Sequence, residues 1–425
     1  MIDLKHIRRD PDAARAALAR RRAGEAQDEV LRLDARRREL LPELERGRAR
    51  QNEASKRIPM LQRAGEDAEP AIAEMRELAP RVKGLEGEVA DGEARLSTAL
   101  AGVPNLPDPS APEDEDVVLR EEGEAGATGR DHLQLLGGWV DIESGARVAG
   151  SRFAYLKGPL VLLELALVRF AMEVVQPHGF VPTIPPVLVR EEALYGTGFL
   201  PDTEQQIYRL PDDDLYLVGT SEVPLAALHA GEILEEEALP LRYAGFSTCF
   251  RREAGAAGKD TRGIFRVHQF DKVEMFSFIA PEHSQDEHER LLAIEEELLG
   301  ALEIPYRVVN IAAWDLGASA AKKYDIEAWL PGQGRYRELT SCSNTTDYQA
   351  RRLDARYRPA GGGGPRHVHT LNGTAVAVGR TIIALVENHQ RDDGTVAVPA
   401  VLQQFGAPAA IASPTWRSGS RASPG

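Results

Sequence analysis

Apolar residues recur at helical spacing over two long stretches near the start of the chain. In the first, Leu33, Leu40, Leu44, Ala54, Ile58 and Leu61 keep one alternating four-and-three register, with Arg37, Gly47 and Gln51 in the intervening slots. The second is cleaner: Met75, Leu78, Val82, Leu85 and Val89 keep the spacing that closes a seam between two helices. Gly65-Glu66-Asp67 supplies turn and cap residues between them, so residues 25–101 are expected to fold back as an antiparallel helical hairpin. Pro42, Pro59 and Pro80 each remove a backbone donor and are expected to kink or interrupt these helices, giving a bent arm.

The pattern then changes. GVPNLPDPSAPEDED, residues 102–116, is a proline-broken acidic stretch and the expected domain boundary. Beyond it, ELALVRFAMEVV (164–175) reads as an amphipathic helix, whereas LYLVGT, YAGFSTCF, FDKVEMFSFI and TAVAVGRTII are enriched in the β-branched and aromatic residues of strands. No GxGxxG opens a helix after a strand, and strands outnumber βαβ units. The expected class is therefore α+β: a largely antiparallel sheet flanked by helices, preceded by a helical arm. The expected division is 1–104 for the arm domain, 105–118 for a linker, 119–406 for a large domain and 407–425 for a disordered Ala/Ser/Pro/Gly tail.

With 425 residues, 43% hydrophobic and 28% charged, the chain has material for one large core and a smaller companion. The start, MIDLKHIRRDPDAARAAL, has no apolar signal region and no later run approaches a membrane span, so a cytosolic protein without a membrane partner is expected. Cys249 and Cys342 are far apart and have no CxxC partner, which suits packed thiols better than a zinc site or a disulfide. A net charge of −15 opposes indiscriminate nucleic-acid binding, but the charge is unevenly spread. Residues 32–63 hold ten Arg/Lys against five Asp/Glu, and residues 66–95 hold nine acids against four bases. Cross-helix ion pairs explain that split; so does a phosphate-backbone partner on the arginine-rich helix.

Candidate chemistry lies in the large domain. GAAGKDT (255–261) resembles a P-loop at first sight, but only two residues separate Gly255 from Gly258 where a P-loop has four, and Lys259 is followed by Asp260, which would repel a phosphate. Its flanks are more informative. Arg251 and Glu253, after Phe250, would face Phe270 and Glu274 of a returning strand across a basic loop that includes Arg262, offering a guanidinium, a carboxylate and a ring to one ligand. Thr220-Ser221-Glu222 after an apolar strand suits a small polar ligand or a helix cap. Glu338 and Ser341 of RELTS could hold Mg²⁺ with phosphate oxygens, and Arg380 stands where a strand enters a helix, as a polyphosphate contact or a structural ion pair.

Taken in order, TSE, FRREAG, the Gly-rich loop, TRG, HQFDKVE, ELTS and NGTAVAVGR resemble the catalytic core of a class II aminoacyl-tRNA synthetase, specifically the seryl-tRNA synthetase family. The hairpin and NLPDPS are similar to that family's tRNA-binding arm and its junction, so the resemblance spans residues 1 to about 406. It implies serine–tRNA ligase activity on L-serine, ATP and tRNA(Ser), also tRNA(Sec) where one exists, in a cytoplasmic homodimer using Mg²⁺. By resemblance, Thr220, Ser221 and Glu222 meet the serine amino end, Glu274 and Thr374 its hydroxyl, and Arg251 its carboxylate and the ATP α-phosphate. Arg252, Glu253, Val267, Phe270, Leu339 and Thr340 would complete the ATP contacts, with Glu253 on the adenine amino group and Phe270 stacked on the ring. Arg380 would clamp the γ-phosphate, Glu338 and Ser341 would hold Mg²⁺, and Pro186 matches the dimer motif. Lys259 and Arg262 are expected to meet the acceptor end of tRNA. An inactive paralogue that merely binds RNA would show losses among these residues, and none is seen.

Overall fold

The computed structural model describes residues 1–201, 206–254, 260 and 262–414. These form two compact units, Ile2–Pro104 and Asn105 onward with Met1.

In the first unit, two long helices, α1 (Ala26–Ala64) and α2 (Glu69–Gly102), pair along the predicted seam. Leu40 and Leu44 pack against Val82, Leu85 and Val89, while Ile58 and Leu61 are only half-buried. Gly65 ends α1 in the left-handed region at φ 74°, where its amide and that of Glu66 close onto the carbonyls of Gln62 and Leu61. Asp67 then accepts the Glu69 amide at 2.9 Å. The expectation that prolines interrupt the helices is corrected: both run through Pro42, Pro59 and Pro80 without a break. All three prolines sit on exposed positions, so the carbonyl each leaves unbonded turns to water instead of being stranded in the seam.

The second unit is built on an eight-stranded sheet. Its strands are β1 (Val117–Glu122), β2 (Val181–Thr183), β3 (Leu241–Phe250), β4 (Gln269–Ile279), β5 (Tyr306–Asn310), β6 (Lys322–Leu330), β7 (Arg335–Asn344) and β8 (His369–Ala377). They lie in the order β1-β5-β6-β7-β8-β4-β3-β2, antiparallel throughout except for the short β2–β3 pairing. One face carries helices α3 (Pro159–Val175), α4 (Ser284–Ala301) and α5 (Val378–Asn388). Val273, Met275, Leu371 and Ala375 point into that helical layer and its core. Alternation sends Phe270, Lys272 and Glu274 of β4, and Asn372 and Thr374 of β8, to the opposite face. Three register shifts interrupt the ladders, one between Val118 and Arg120 of the edge strand and two at the cavity, beside Glu274 opposite Thr374 and between Thr340 and Glu338. Such bulges re-aim side chains next to a site.

The unit boundary falls at Pro104, where the linker was expected to begin, and the linker is packed on the second unit: the Asn105 side-chain amide donates to the carbonyls of Ser319 and Thr345, both at 2.9 Å, and Ala111 is buried. The expected tail is corrected: it does not begin at Ala407, because Ala407 and Ile411 are buried, Ala410–Ile411 pairs as a strand, and Ser413 donates to the Leu135 carbonyl. Residues 415–425 lie outside the described residues, as do Gly255–Lys259 and Thr261 of the Gly-rich loop. Cys249 and Cys342 are both free and buried.

Candidate active site

The polar face of the sheet opens into a cavity of about 440 Å³. Of the fifteen residues expected at the site, thirteen line it: Thr220, Glu222, Arg251, Glu253, Val267, Phe270, Glu274, Glu338, Leu339, Thr340, Ser341, Thr374 and Arg380. Ser221 and Arg252 do not. The Ser221 hydroxyl donates to the Gly245 carbonyl at 2.9 Å, tying its helix to β3, and the Arg252 backbone amide donates to Gln206 beside the site.

At one end, carboxylates are held by specific donors. Glu222 is buried, and its Oε1 accepts from Gln349 at 2.8 Å and Asn372 at 3.0 Å. Burial first, and then the charge of Glu274, pushes the Glu222 carboxyl up to about 7. Glu274 forms a buried ion pair with Lys272 and accepts the Thr374 hydroxyl at 3.2 Å. Side chains of opposite charge and matched hydrogen bonding are thus fixed around a pocket large enough for a small zwitterion.

Elsewhere the cavity is lined by guanidiniums. Arg251 donates through Nε to the Gly219 carbonyl at 3.2 Å, and its Cζ lies 5.3 Å from the Phe270 ring centroid. Arg380, at the start of α5, reaches back to β7, where Nη1 donates to the Glu338 carbonyl at 3.1 Å and lies 3.5 Å from its carboxylate. Phe265 carries two cations, with Arg337 3.9 Å and Arg380 4.8 Å from its centroid. Arg266 pairs with Glu253 at 2.6 Å, and Arg337 binds Asp260 through two parallel bonds of 2.8 and 3.0 Å. Glu253 has φ 49°, a left-handed conformation uncommon outside glycine. Burial raises the Glu338 carboxyl, but Arg380, Lys323 and Arg251 outweigh it and hold the group below the ordinary range. Behind it, burial pushes Asp325 up to about 7 despite Lys323 at 2.8 Å.

Sequence reasoning missed several contributors. Lys272 lies midway between Phe270 and Glu274 on one strand, so its period-two position was a usable signal, and Asn372 stands in the same relation to Thr374. Arg266, Phe265 and Lys323 carried no distinguishing spacing. Thr197, the last residue of the helix Glu191–Thr197, lines the cavity with Gly198 and Phe199 just beyond it and with Gly317–Ala320, and nothing in the composition of these segments marks them.

With this geometry in view, the comparisons with known proteins are specific. Residues 1–107 match the seryl-tRNA synthetase N-terminal domain, and residues 206–389 match the class II tRNA synthetase core domain for G, H, P, S and T. The serine–tRNA ligase of Thermobifida fusca is 51% identical over 414 residues, covering 95% of this chain and 97% of that protein. The serine–tRNA ligase of Streptomyces coelicolor is 49% identical over 417 residues, covering 95% and 97%. Among solved structures, seryl-tRNA synthetase from Pyrococcus horikoshii complexed with ATP matches with a TM-score of 0.91 and 43% identity, over 97% of this chain and all of that one. The cytoplasmic serine–tRNA ligase of Naegleria fowleri with AMP matches with a TM-score of 0.85 and 31% identity, over 95% and 96%. A helical arm, an antiparallel sheet and a cavity of paired carboxylates and guanidiniums, joined to these full-length matches, establish that the chain belongs to the seryl-tRNA synthetase family of class II aminoacyl-tRNA synthetases.

Proposed function

We propose that this chain activates L-serine with ATP and transfers the seryl group to the 3′ end of tRNA(Ser). The observation that carries the reading is one cavity combining Glu222, Glu274 and Thr374, which suit an ammonium and a hydroxyl, with Arg251 and Arg380, which suit phosphates. Arg251 holds the serine carboxylate and the α-phosphate together; the carboxylate oxygen attacks phosphorus, the bond to the bridging oxygen breaks, and pyrophosphate leaves. Phe270 and Val267 sandwich the adenine, Glu253 accepts from its amino group, and Arg380 neutralises the terminal phosphate. Positioning and charge neutralisation are the contributions this chemistry asks of a protein. The second step moves the acyl group from the adenylate to a ribose hydroxyl of tRNA, releasing AMP.

Mg²⁺ fits the donor set. Among the described residues, no group of three or more His, Cys, Asp or Glu side chains converges to hold a metal by itself, whereas Glu338 is ionised and shares the cavity lining with Ser341. Such a pair suits a cation that keeps phosphate oxygens in its shell. When bound, Mg²⁺ would neutralise charge on the leaving pyrophosphate.

The arm supports a polyanionic partner. Arg38, Arg46, Lys56, Arg57 and Arg63 are exposed on α1 and make no ion pair among the described residues, leaving them available to a phosphate backbone. Exposed Val161, Leu162 and Leu165 on α3, with Val181 and Ile184 close to Pro186, suit burial against a second copy of the chain. No helix among the described residues is long and apolar enough to cross a membrane, in keeping with a cytoplasmic enzyme. Serine-dependent exchange of pyrophosphate into ATP should occur without tRNA; exchange with another amino acid, or none, defeats the reading. Removing residues 28–100 should spare that exchange and abolish tRNA charging.

A further inference from the structure

One polar cluster outside the cavity has no part in the chemistry above. His132, at the start of the short helix His132–Leu136, is 5% exposed, and Glu387, two turns beyond Arg380 on α5, is 1% exposed. Glu387 Oε1 accepts the His132 backbone amide at 3.0 Å and faces His132 Nδ1 at 3.1 Å, while its Oε2 accepts the Gly332 amide at 2.9 Å. The other imidazole nitrogen, Nε2, accepts the Ile264 amide at 3.4 Å. An acceptor at Nε2 requires the tautomer with hydrogen on Nδ1, the atom that faces the carboxylate. Glu387 therefore sets the ring so that its far side can hold a backbone amide.

That amide begins the wall of the nucleotide site. Ile264, Phe265, Arg266 and Val267 all line the cavity from a segment outside any helix or strand. Its far end is tied by the His268 amide to the Arg152 carbonyl at 3.1 Å; its near end is tied to His132. Gly263 immediately precedes the tied Ile264, at φ +79°, and a Cβ there would come within 2.1 Å of Nε2. Phe265, one residue past the tie, is the ring on which Arg337 and Arg380 rest.

We propose that His132 is a positioning residue of the ATP site. It clamps the Ile264 amide, fixes Phe265 as the platform for Arg380, and is itself held in the right tautomer by Glu387. The inference rests on the reading of the cavity as an ATP site.

Two isosteric changes separate the two ends of the imidazole. His132→Asn keeps a donor where Nδ1 was and removes the acceptor for Ile264; His132→Gln can present its carbonyl oxygen where Nε2 was. In serine-dependent pyrophosphate exchange by the full chain, His132→Asn should raise the KM for ATP roughly tenfold, the scale of leaving a buried amide unpaired. The KM for serine should stay within about twofold, and His132→Gln should recover most of the ATP loss. Gly263→Ala, which attacks the same contact from the loop and leaves the His132 helix intact, should reproduce the ATP-specific rise should His132→Asn fail to fold. Equal effects on both substrates, no change in the ATP KM, or Gln no better than Asn would overturn the proposal. Absence of exchange in the unaltered enzyme would instead defeat the functional reading. The clamp would then be judged by hydrogen exchange over residues 262–268, which His132→Asn should accelerate and His132→Gln should not; equal rates in both would overturn it.

Discussion

The helical arm and the cavity domain of this chain hold their charges in opposite ways. On the arm, ions lie at the surface: Arg36 pairs with Glu88 at 3.1 Å, Arg48 with Glu86 at 2.8 Å and Arg50 with Glu74 at 2.6 Å, every partner at least one-third exposed. In the cavity domain, Lys272–Glu274 is buried and Arg242–Glu287 sets a buried carboxylate against a half-buried guanidinium. Exposed pairs are screened and contribute little, whereas breaking a buried one strands a charge. The arm is therefore stabilised by its apolar seam with charges free to serve a partner; the cavity's charges are fixed, and its chemistry depends on that fixity.

The sharpest way to break this contrast is to remove a cavity cation. Arg380→Ala should lower serine-dependent pyrophosphate exchange by roughly 10²–10³-fold, the scale of losing one preorganised charge-stabilising donor, with thermal unfolding little changed. A matched loss of stability would make Arg380 structural and erase the distinction. On the arm the balance reverses. Leu44, 4% exposed in the seam, should cost ~2–5 kcal/mol on change to Ala, read by denaturant unfolding of the arm, and leave exchange intact. Glu88→Gln, which breaks a surface pair, should cost less than about 1 kcal/mol by the same measurement. The remaining test is a titration. Glu222 titrates near 7 and must be ionised to meet an ammonium, so its binding form is lost as pH falls through that value. The KM for serine should then rise by about tenfold per pH unit below that point, and Glu222→Gln should flatten the profile at high KM. A flat profile in the unaltered enzyme would show that Glu222 is ionised throughout.

The same contrast explains what could be read in advance. The arm was legible because its seam is periodic: Leu40, Leu44, Val82, Leu85 and Val89 announce their partners by spacing alone, and only the prolines misled, since exposure decides whether a missing donor matters. Strand identity in the large domain was legible from β-branched and aromatic runs, and most site residues from motifs that resemble a known family. What escaped was non-local. Glu222 is held by Gln349 and Asn372, more than a hundred residues away in sequence. The Ser319 wall is braced by Asn105, which reads as linker. Ser221 sits inside a functional motif yet spends its hydroxyl on Gly245, because a hydroxyl string at a strand end cannot declare which member faces outward. Gly373 likewise looks unremarkable, although a Cβ there would crowd the buried Glu295 carboxyl at 2.9 Å.

The bonds from Arg266 to Glu253 and from Arg337 to Asp260 bear on how a nucleotide enters. These guanidiniums do not wait bare: each already rests against a carboxylate of the protein. A phosphate could take either guanidinium only if Glu253 or Asp260 gave up its partner, so any such contact would be a counter-ion exchange and not a simple addition. The positive field in the cavity is therefore gentler than a count of its arginines suggests, because two of those cations are already neutralised from within the protein.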